Sequence, residues 1–236
     1  GWISGQGKYV EEFEQMFSHF CESKYGVATS NGTTALHLAI KTLDIGEGDE
    51  VIIPTFTMIA TAFAVIYSNA KIVTVDSEPE TWNIDPTKIE DKITKKTKAI
   101  LPVHIYGHPV DMDPILKLAK DYDLFVIEDA AEAHGAKYKD RKVGALGDIG
   151  CFSFYANKIV TTGEGGMIIT DNDDLCAKAK KLRDLAHSER RFLHDLLGFN
   201  YRLSNIQAAL GVAQMNKIEF FINKKREMAQ RYNKSL

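Results

Sequence analysis

Apolar residues recur along this chain with two alternating periods. Val10, Phe13, Met16, Phe17 and Phe20 lie three or four apart, which predicts an amphipathic helix over residues 8–23. A short apolar run over 25–29 predicts a strand, Ser30-Asn31-Gly32 a turn, and 33–43 a helix. The same alternation continues. Strands are expected at 50–53 (stopped by Pro54), 71–76, 98–105 and 124–127, with helices at 57–67, 86–93 and 112–121 between them. Repeated units of this kind build a mainly parallel sheet covered by helices on both faces. After Gly147 the order changes: strands at 151–154 and 167–170 flank Thr161-Thr162-Gly163-Glu164-Gly165-Gly166, and the chain is mostly helical beyond Asp173. Residues 203–232 read as one long helical stretch containing Gly211 and the run Lys224-Lys225-Arg226, expected to be a solvated face.

Composition narrows the class. With 236 residues, 44% hydrophobic and 26% charged, the chain has enough apolar matter for one large domain or two small ones, which excludes disorder. A net charge of −3 gives no basic surplus for general nucleic-acid binding. The longest apolar run, residues 58–67, carries Thr61 and is far too short to span a membrane. Cys21, Cys151 and Cys176 have no metal or redox spacing, which suits a reducing, cytoplasmic setting. The first residues have no signal-peptide pattern and no Met, so a fragment is expected.

Three positions carry candidate chemistry. Asp129 ends the run Phe125-Val126-Ile127-Glu128-Asp129, at the carboxyl end of a strand, where ligands of open α/β sheets bind. It can pair with a cation, or it can cap a helix begun by Ala130-Ala131. Lys158 follows Phe152-Ser153-Phe154-Tyr155-Ala156-Asn157; among apolar neighbours a lysine can lose its proton and attack a carbonyl, whereas at a surface it does nothing special. Asn31-Gly32-Thr33-Thr34 opens a helix and can cradle a phosphate, with Ser153 adding a hydroxyl, or can be a plain cap. His104 and His108 lie near Asp111 and Asp113, but Pro109 interrupts the segment and no HExxH or cysteine pair supports it, so no metal is expected. His37 lies within a helix and is expected to be packed. GxxxxGK[ST] and GxGxxG are absent.

The order of these signals resembles the DegT/DnrJ/EryC1/StrS family of pyridoxal-phosphate-dependent sugar aminotransferases. The likeness runs from Gly1 to Leu236. It is carried by Ser30-Asn31-Gly32-Thr33-Thr34-Ala35-Leu36-His37, Gly48-Asp49-Glu50-Val51-Ile52 with Pro54-Thr55-Phe56-Thr57, and Glu128-Asp129-Ala130-Ala131-Glu132-Ala133. Phe152-Ser153-Phe154-Tyr155-Ala156-Asn157-Lys158, Thr162-Gly163-Glu164-Gly165-Gly166-Met167 and Gly198-Phe199-Asn200-Tyr201-Arg202 complete it.

The resemblance implies an α/β fold: the large domain of fold-type I pyridoxal-phosphate enzymes, with a mostly parallel seven-stranded sheet, spanning 1–236 and lacking a C-terminal small domain. It implies that Lys158 binds pyridoxal 5′-phosphate and moves a proton, and that Asp129 faces the pyridine nitrogen. By the same likeness Glu132 lies near the ring hydroxyl, Gly32, Thr33 and Ser153 touch the phosphate, and Asn200 reaches the phosphate from the neighbouring subunit of a homodimer. Met58 stands where the family commonly stacks an aromatic on the ring, so a weaker contact of the same kind is expected. The implied reaction is amino transfer from L-glutamate to a nucleotide-linked keto-deoxysugar. Val103-His104-Ile105-Tyr106-Gly107-His108 and Asp111-Met112-Asp113-Pro114 favour GDP-4-keto-6-deoxy-mannose, for surface-polysaccharide synthesis. A UDP- or dTDP-sugar acceptor and a non-catalytic regulatory role remain as alternatives. Sugar dehydratases of the family replace the lysine by histidine, which Lys158 argues against. Phe199 and Tyr201 are expected to be buried at a two-fold interface, with a local core as the alternative.

Overall fold

The computed structural model describes residues 2–188 and 192–236; Gly1, where the resemblance begins, lies outside them. Nine strands occur among these residues: β1 (Tyr25–Thr29), β2 (Glu50–Pro54), β3 (Lys71–Val75), β4 (Thr97–Ile100), β5 (Phe125–Asp129), β6 (Lys137–Tyr138), β7 (Arg141–Lys142), β8 (Ile149–Ser153) and β9 (Gly166–Thr170). β6 and β7 form a small hairpin. The other seven make one sheet in the order β1-β9-β8-β5-β4-β2-β3. Pairing is parallel from β8 through β5, β4 and β2 to β3, while β9 runs antiparallel to both its neighbours. The mostly parallel seven-stranded sheet expected from the resemblance is therefore present.

Helices cover both faces: α1 (Lys8–Phe20), α2 (Gly32–Thr42), α3 (Ile59–Tyr67), α4 (Met112–Tyr122), α5 (Asp173–Arg183), α6 (Asn205–Met215) and α7 (Ile218–Ser235). Alternation along the buried strands sorts the core. Val51, Ile53, Ile127 and Cys151 join Leu36 and Leu38 of α2, Val65 of α3 and Leu182 of α5 on one face. On the other, Phe152 and Met167 meet Phe13 and Phe17 of α1, and Ile52, Ile100 and Val126 meet Met112 and Ile115 of α4.

Three expectations need correction. Residues 86–93 form two 3₁₀ turns, Pro86–Lys88 and Glu90–Lys92, in place of a helix; β-branched Thr87, Ile89 and Ile93 make this short segment a weak helix former. The strand expected at 98–105 ends at Ile100, because Pro102 has no N–H to continue the ladder; only an isolated bridge, Val103 to Asp129, follows. The long C-terminal helix breaks at Asn216 and Lys217, which turns α7 so that Ile218 and Ile222 enter the α1 core.

Candidate functional site

The carboxyl ends of β5 and β8, the start of α2 and the loops after β2 and β4 surround a cavity of about 580 Å³. Asn31, Gly32, Thr33, Met58, Asp129, Glu132, Ser153 and Lys158 all line it. Residues up to 127 positions apart in sequence thus converge where open α/β sheets place their ligands.

Asp129 occupies the floor. It shares strand parity with Ile127, so its side chain faces α2 and α3. The carboxylate is 5% exposed, accepts a hydrogen bond from Thr61 Oγ1 at 2.8 Å and one from the Ala131 N–H at 3.2 Å. Burial pushes its pKa above the usual carboxylate range; the Thr61 and Ala131 bonds pull the other way without cancelling it. Both donors are neutral. No helix begins after Asp129, since residues 130–136 hold only turns and irregular backbone, so the helix-cap alternative fails.

Glu128 points to the opposite face and is fully buried. Four donors converge on it: His104 Nε2 at 3.0 Å and the N–H groups of Gly144, Leu146 and Gly147, each at 2.7 Å. Burial pushes the Glu128 carboxyl up, but His104 and the backbone donors outweigh it and hold the group below its ordinary value. His104 Nδ1 accepts the Val110 N–H at 3.1 Å, which leaves Nε2 to donate to Glu128. Among the described residues no three His, Cys, Asp or Glu side chains gather to hold a metal ion.

At the start of α2, Asn31 and Thr34 form a capping box: the Asn31 side chain accepts the Thr34 N–H, and Thr34 Oγ1 accepts the Asn31 N–H. A helix start leaves four N–H groups outside its ladder, so the box satisfies two and leaves those of Gly32 and Thr33 facing the cavity. The cap therefore does not use up the donors that an anion would need. A Cβ on Gly32 would fall 2.9 Å from Ser153 Cβ, so glycine lets the helix start close on β8.

Lys158 sits in a turn after β8, its N–H bonded to Tyr155 O. Its Nζ is 3.1 Å from Glu132 Oε1, and Glu132 Oε2 accepts the Tyr106 N–H at 3.0 Å. The lysine side chain is 17% exposed, which removes it from the ordinary surface class. Met58 is the N-cap position of α3, outside the helix, and is exposed at the cavity wall.

Asn200 does not join this cavity; it is exposed beside Asp184 in an isolated bridge. Phe199 and Tyr201 already have partners within the chain. They stack at 4.9 Å and pack half-buried on the α2 face within the same chain, where Tyr201 Oη lies 2.9 Å from His37 Nδ1. His37 itself is buried, as a packed residue should be. Sequence reasoning missed Thr61, whose only signal was a hydroxyl in an apolar run, and gave no role to Phe56, Trp82 or Tyr106.

Comparisons with known proteins identify the family of this chain. The profile of the DegT/DnrJ/EryC1/StrS aminotransferase family matches residues 1–236. The chain is 53% identical over 219 residues to a GDP-perosamine synthase of Caulobacter vibrioides, covering 92% of this chain and 59% of that protein. It is 50% identical to a GDP-perosamine synthase of Escherichia coli O157:H7, over 100% of this chain and 65% of the relative. An aminotransferase structure from Psychrobacter cryohalolentis superposes with a TM-score of 0.85 at 43% identity, covering 89% of this chain and 56% of that one. The chain therefore spans less than two thirds of the length of these relatives.

Proposed function

Because the chain belongs to the DegT/DnrJ/EryC1/StrS aminotransferase family, we propose that it is the cofactor-binding large domain of a pyridoxal-5′-phosphate-dependent nucleotide-sugar aminotransferase. The donor is L-glutamate, the acceptor GDP-4-keto-6-deoxy-mannose and the product GDP-perosamine, a reading supported by the two perosamine-synthase relatives. The enzyme acts in the cytoplasm and supplies O-antigen and lipopolysaccharide synthesis. The one membrane-related observation is that no described helix is long and apolar enough to cross a membrane.

The observation that carries the reading is Asp129: a buried carboxylate with only neutral donors, in the same cavity as a shielded lysine and a helix start. A protonated ring nitrogen is the complement its charge calls for. The Gly32 and Thr33 N–H groups with the Ser153 hydroxyl suit a phosphate, and Lys158 suits an aldehyde. Pyridoxal phosphate has all three features, so the residues present fit it. When bound, the cofactor supplies an electron sink for the carbon that exchanges its amino group.

This chain's residues divide the remaining work. Asp129 would keep the ring nitrogen protonated. Lys158 Nζ would hold the cofactor at its aldehyde and would carry the proton of the exchange. Glu132 holds Lys158 Nζ and would face the ring hydroxyl, and Met58 at the cavity wall would pack against the ring. Asn200, turned away from its own cavity, serves the phosphate of a partner subunit in a homodimer.

The test uses the full-length protein with glutamate and GDP-4-keto-6-deoxy-mannose. Lys158→Ala should bind cofactor only non-covalently, lose the borohydride-fixed label and lose turnover; normal transamination by this variant refutes the assignment. Mixing Lys158→Ala with Asn200→Ala under subunit exchange should restore part of the activity, since one site of the heterodimer carries both defects and the other neither. No recovery despite exchange counts against the shared site.

A further inference from the structure

We propose that Phe56, Trp82 and Tyr106 form a rigid aromatic platform at the mouth of the Lys158 cavity, which stacks the base of a nucleoside diphosphate. The inference rests on the nucleotide-sugar reading and assigns the residues that take the base.

The three rings cluster: Phe56 lies 5.5 Å from Trp82 and 6.2 Å from Tyr106, centroid to centroid. They remain open to solvent, at 38% exposure for Phe56, 59% for Trp82 and 80% for Tyr106. Phe56 and Tyr106 line the cavity that holds Lys158. A ligand lying on the rings therefore has its other end within the reacting site.

The backbone is strained to present these rings. Trp82 has φ +67° and Tyr106 φ +51°, a region that bulky side chains rarely adopt. Such strain persists only where the surroundings over-determine it, and here they do. Glu78 accepts the N–H groups of Glu80 and Thr81, fixing the turn before Trp82. Glu132 accepts the Tyr106 N–H. Asn83, buried at 3% exposure, joins the two loops: its Oδ1 accepts the Ile105 N–H at 3.1 Å, and its Nδ2 donates to His108 O and Pro109 O. Two large aromatics are thus held outward by a locked scaffold. Neither ring is spent on the core, and a flat π-face offered without reorganisation is what base stacking uses.

The experiment uses the full-length, cofactor-loaded protein and calorimetric titration with GDP, with inorganic pyrophosphate as the probe lacking a base. Glycine relieves positive φ, so Trp82→Gly and Tyr106→Gly should keep or raise the melting temperature. Each should nevertheless weaken GDP about 5- to 150-fold, the size of one base–aromatic stack, and leave pyrophosphate unchanged. Trp82→Phe should retain most of the GDP affinity. GDP binding that is unchanged in both glycine variants, or that falls in step with pyrophosphate, overturns the platform. So does Trp82 emission that shifts with protein concentration and not with GDP, because a second copy then covers the rings. If the parent binds neither probe, the nucleotide-sugar reading fails as well; if it binds GDP and the variants match it, only the platform fails.

Discussion

Replacing Asp129 by asparagine should strengthen the cofactor-free protein and weaken the cofactor-bound one. In the free protein the buried carboxylate has two neutral donors, Thr61 and the Ala131 N–H. Asparagine keeps both partners: its carbonyl accepts from Ala131, and its amide donates to Thr61 Oγ1, whose own hydrogen turns to Thr57 Oγ1, 2.8 Å away. The exchange forfeits about 1 kcal/mol for each bond to a charged acceptor. It removes an ion whose burial costs several kcal/mol. The net gain is about 1–2 kcal/mol at pH 8, or roughly 2–8 °C in melting temperature for a domain of this size. Because burial raises the Asp129 pKa above its unfolded value, its contribution to stability is complete below the unfolded pKa and is lost as pH rises through the folded one. The asparagine advantage should therefore be largest on the alkaline side and vanish in acid. With cofactor the sign reverses. Loss of a charge-assisted bond worth about 1.5–3 kcal/mol lowers affinity about 10- to 150-fold. Thermal unfolding at pH 5 and pH 8, with cofactor titrations followed by visible absorbance, gives both quantities. A cofactor-free Asp129→Asn protein less stable than the parent at pH 8 would refute the account of an uncompensated buried charge.

Thr61→Val removes the stronger donor to Asp129 and should destabilise the free protein by about 1–3 kcal/mol, more at pH 8 than at pH 5, as read from denaturant midpoints at the two values. Gly32→Ala places a methyl 2.9 Å from Ser153 Cβ, and should cost about 1–3 kcal/mol of stability and weaken phosphate-dependent cofactor binding disproportionately, seen as a larger loss for pyridoxal phosphate than for pyridoxal. Arg183→Leu strands Glu14, which Arg183 pairs with while Glu14 also accepts the Ala28 N–H; chemical denaturation should show a loss of about 3–5 kcal/mol.

The parallel core was legible because its strands are short continuous apolar runs, such as Val51-Ile52-Ile53 and Phe125-Val126-Ile127, separated by helical spacing. The candidate site was read as an ordered set of motifs; the cavity gathers the residues expected to line it from within the chain, and Asn200, expected to act from a neighbouring subunit, lies outside it. The helix-cap ambiguity at Asp129 could not be resolved locally, since Ala130-Ala131 favours a helix and only the tertiary turn over 130–136 prevents one. The packing of Phe199 and Tyr201 on His37 was not legible, because that partner lies more than 160 residues away. Thr61 and the strained pair Trp82 and Tyr106 escaped for a similar reason: a hydroxyl's acceptor and a residue's φ are set by contacts that no local pattern encodes.

The four donors around Glu128 bear on how this protein can vary. The turn at 144–147 takes its shape from a carboxylate on β5, which receives three of its N–H groups at once. Inserting or deleting a single residue there would leave at least one donor facing buried space, so the length of that turn is fixed by a side chain outside it. A Cβ on Gly150 would come 2.0 Å from Gly144 O, which denies the turn room to adapt by shifting. Length changes in related chains should accumulate elsewhere, at exposed turns whose backbone answers to no distant group, and the 144–147 spacing should serve as a ruler when such sequences are placed in register.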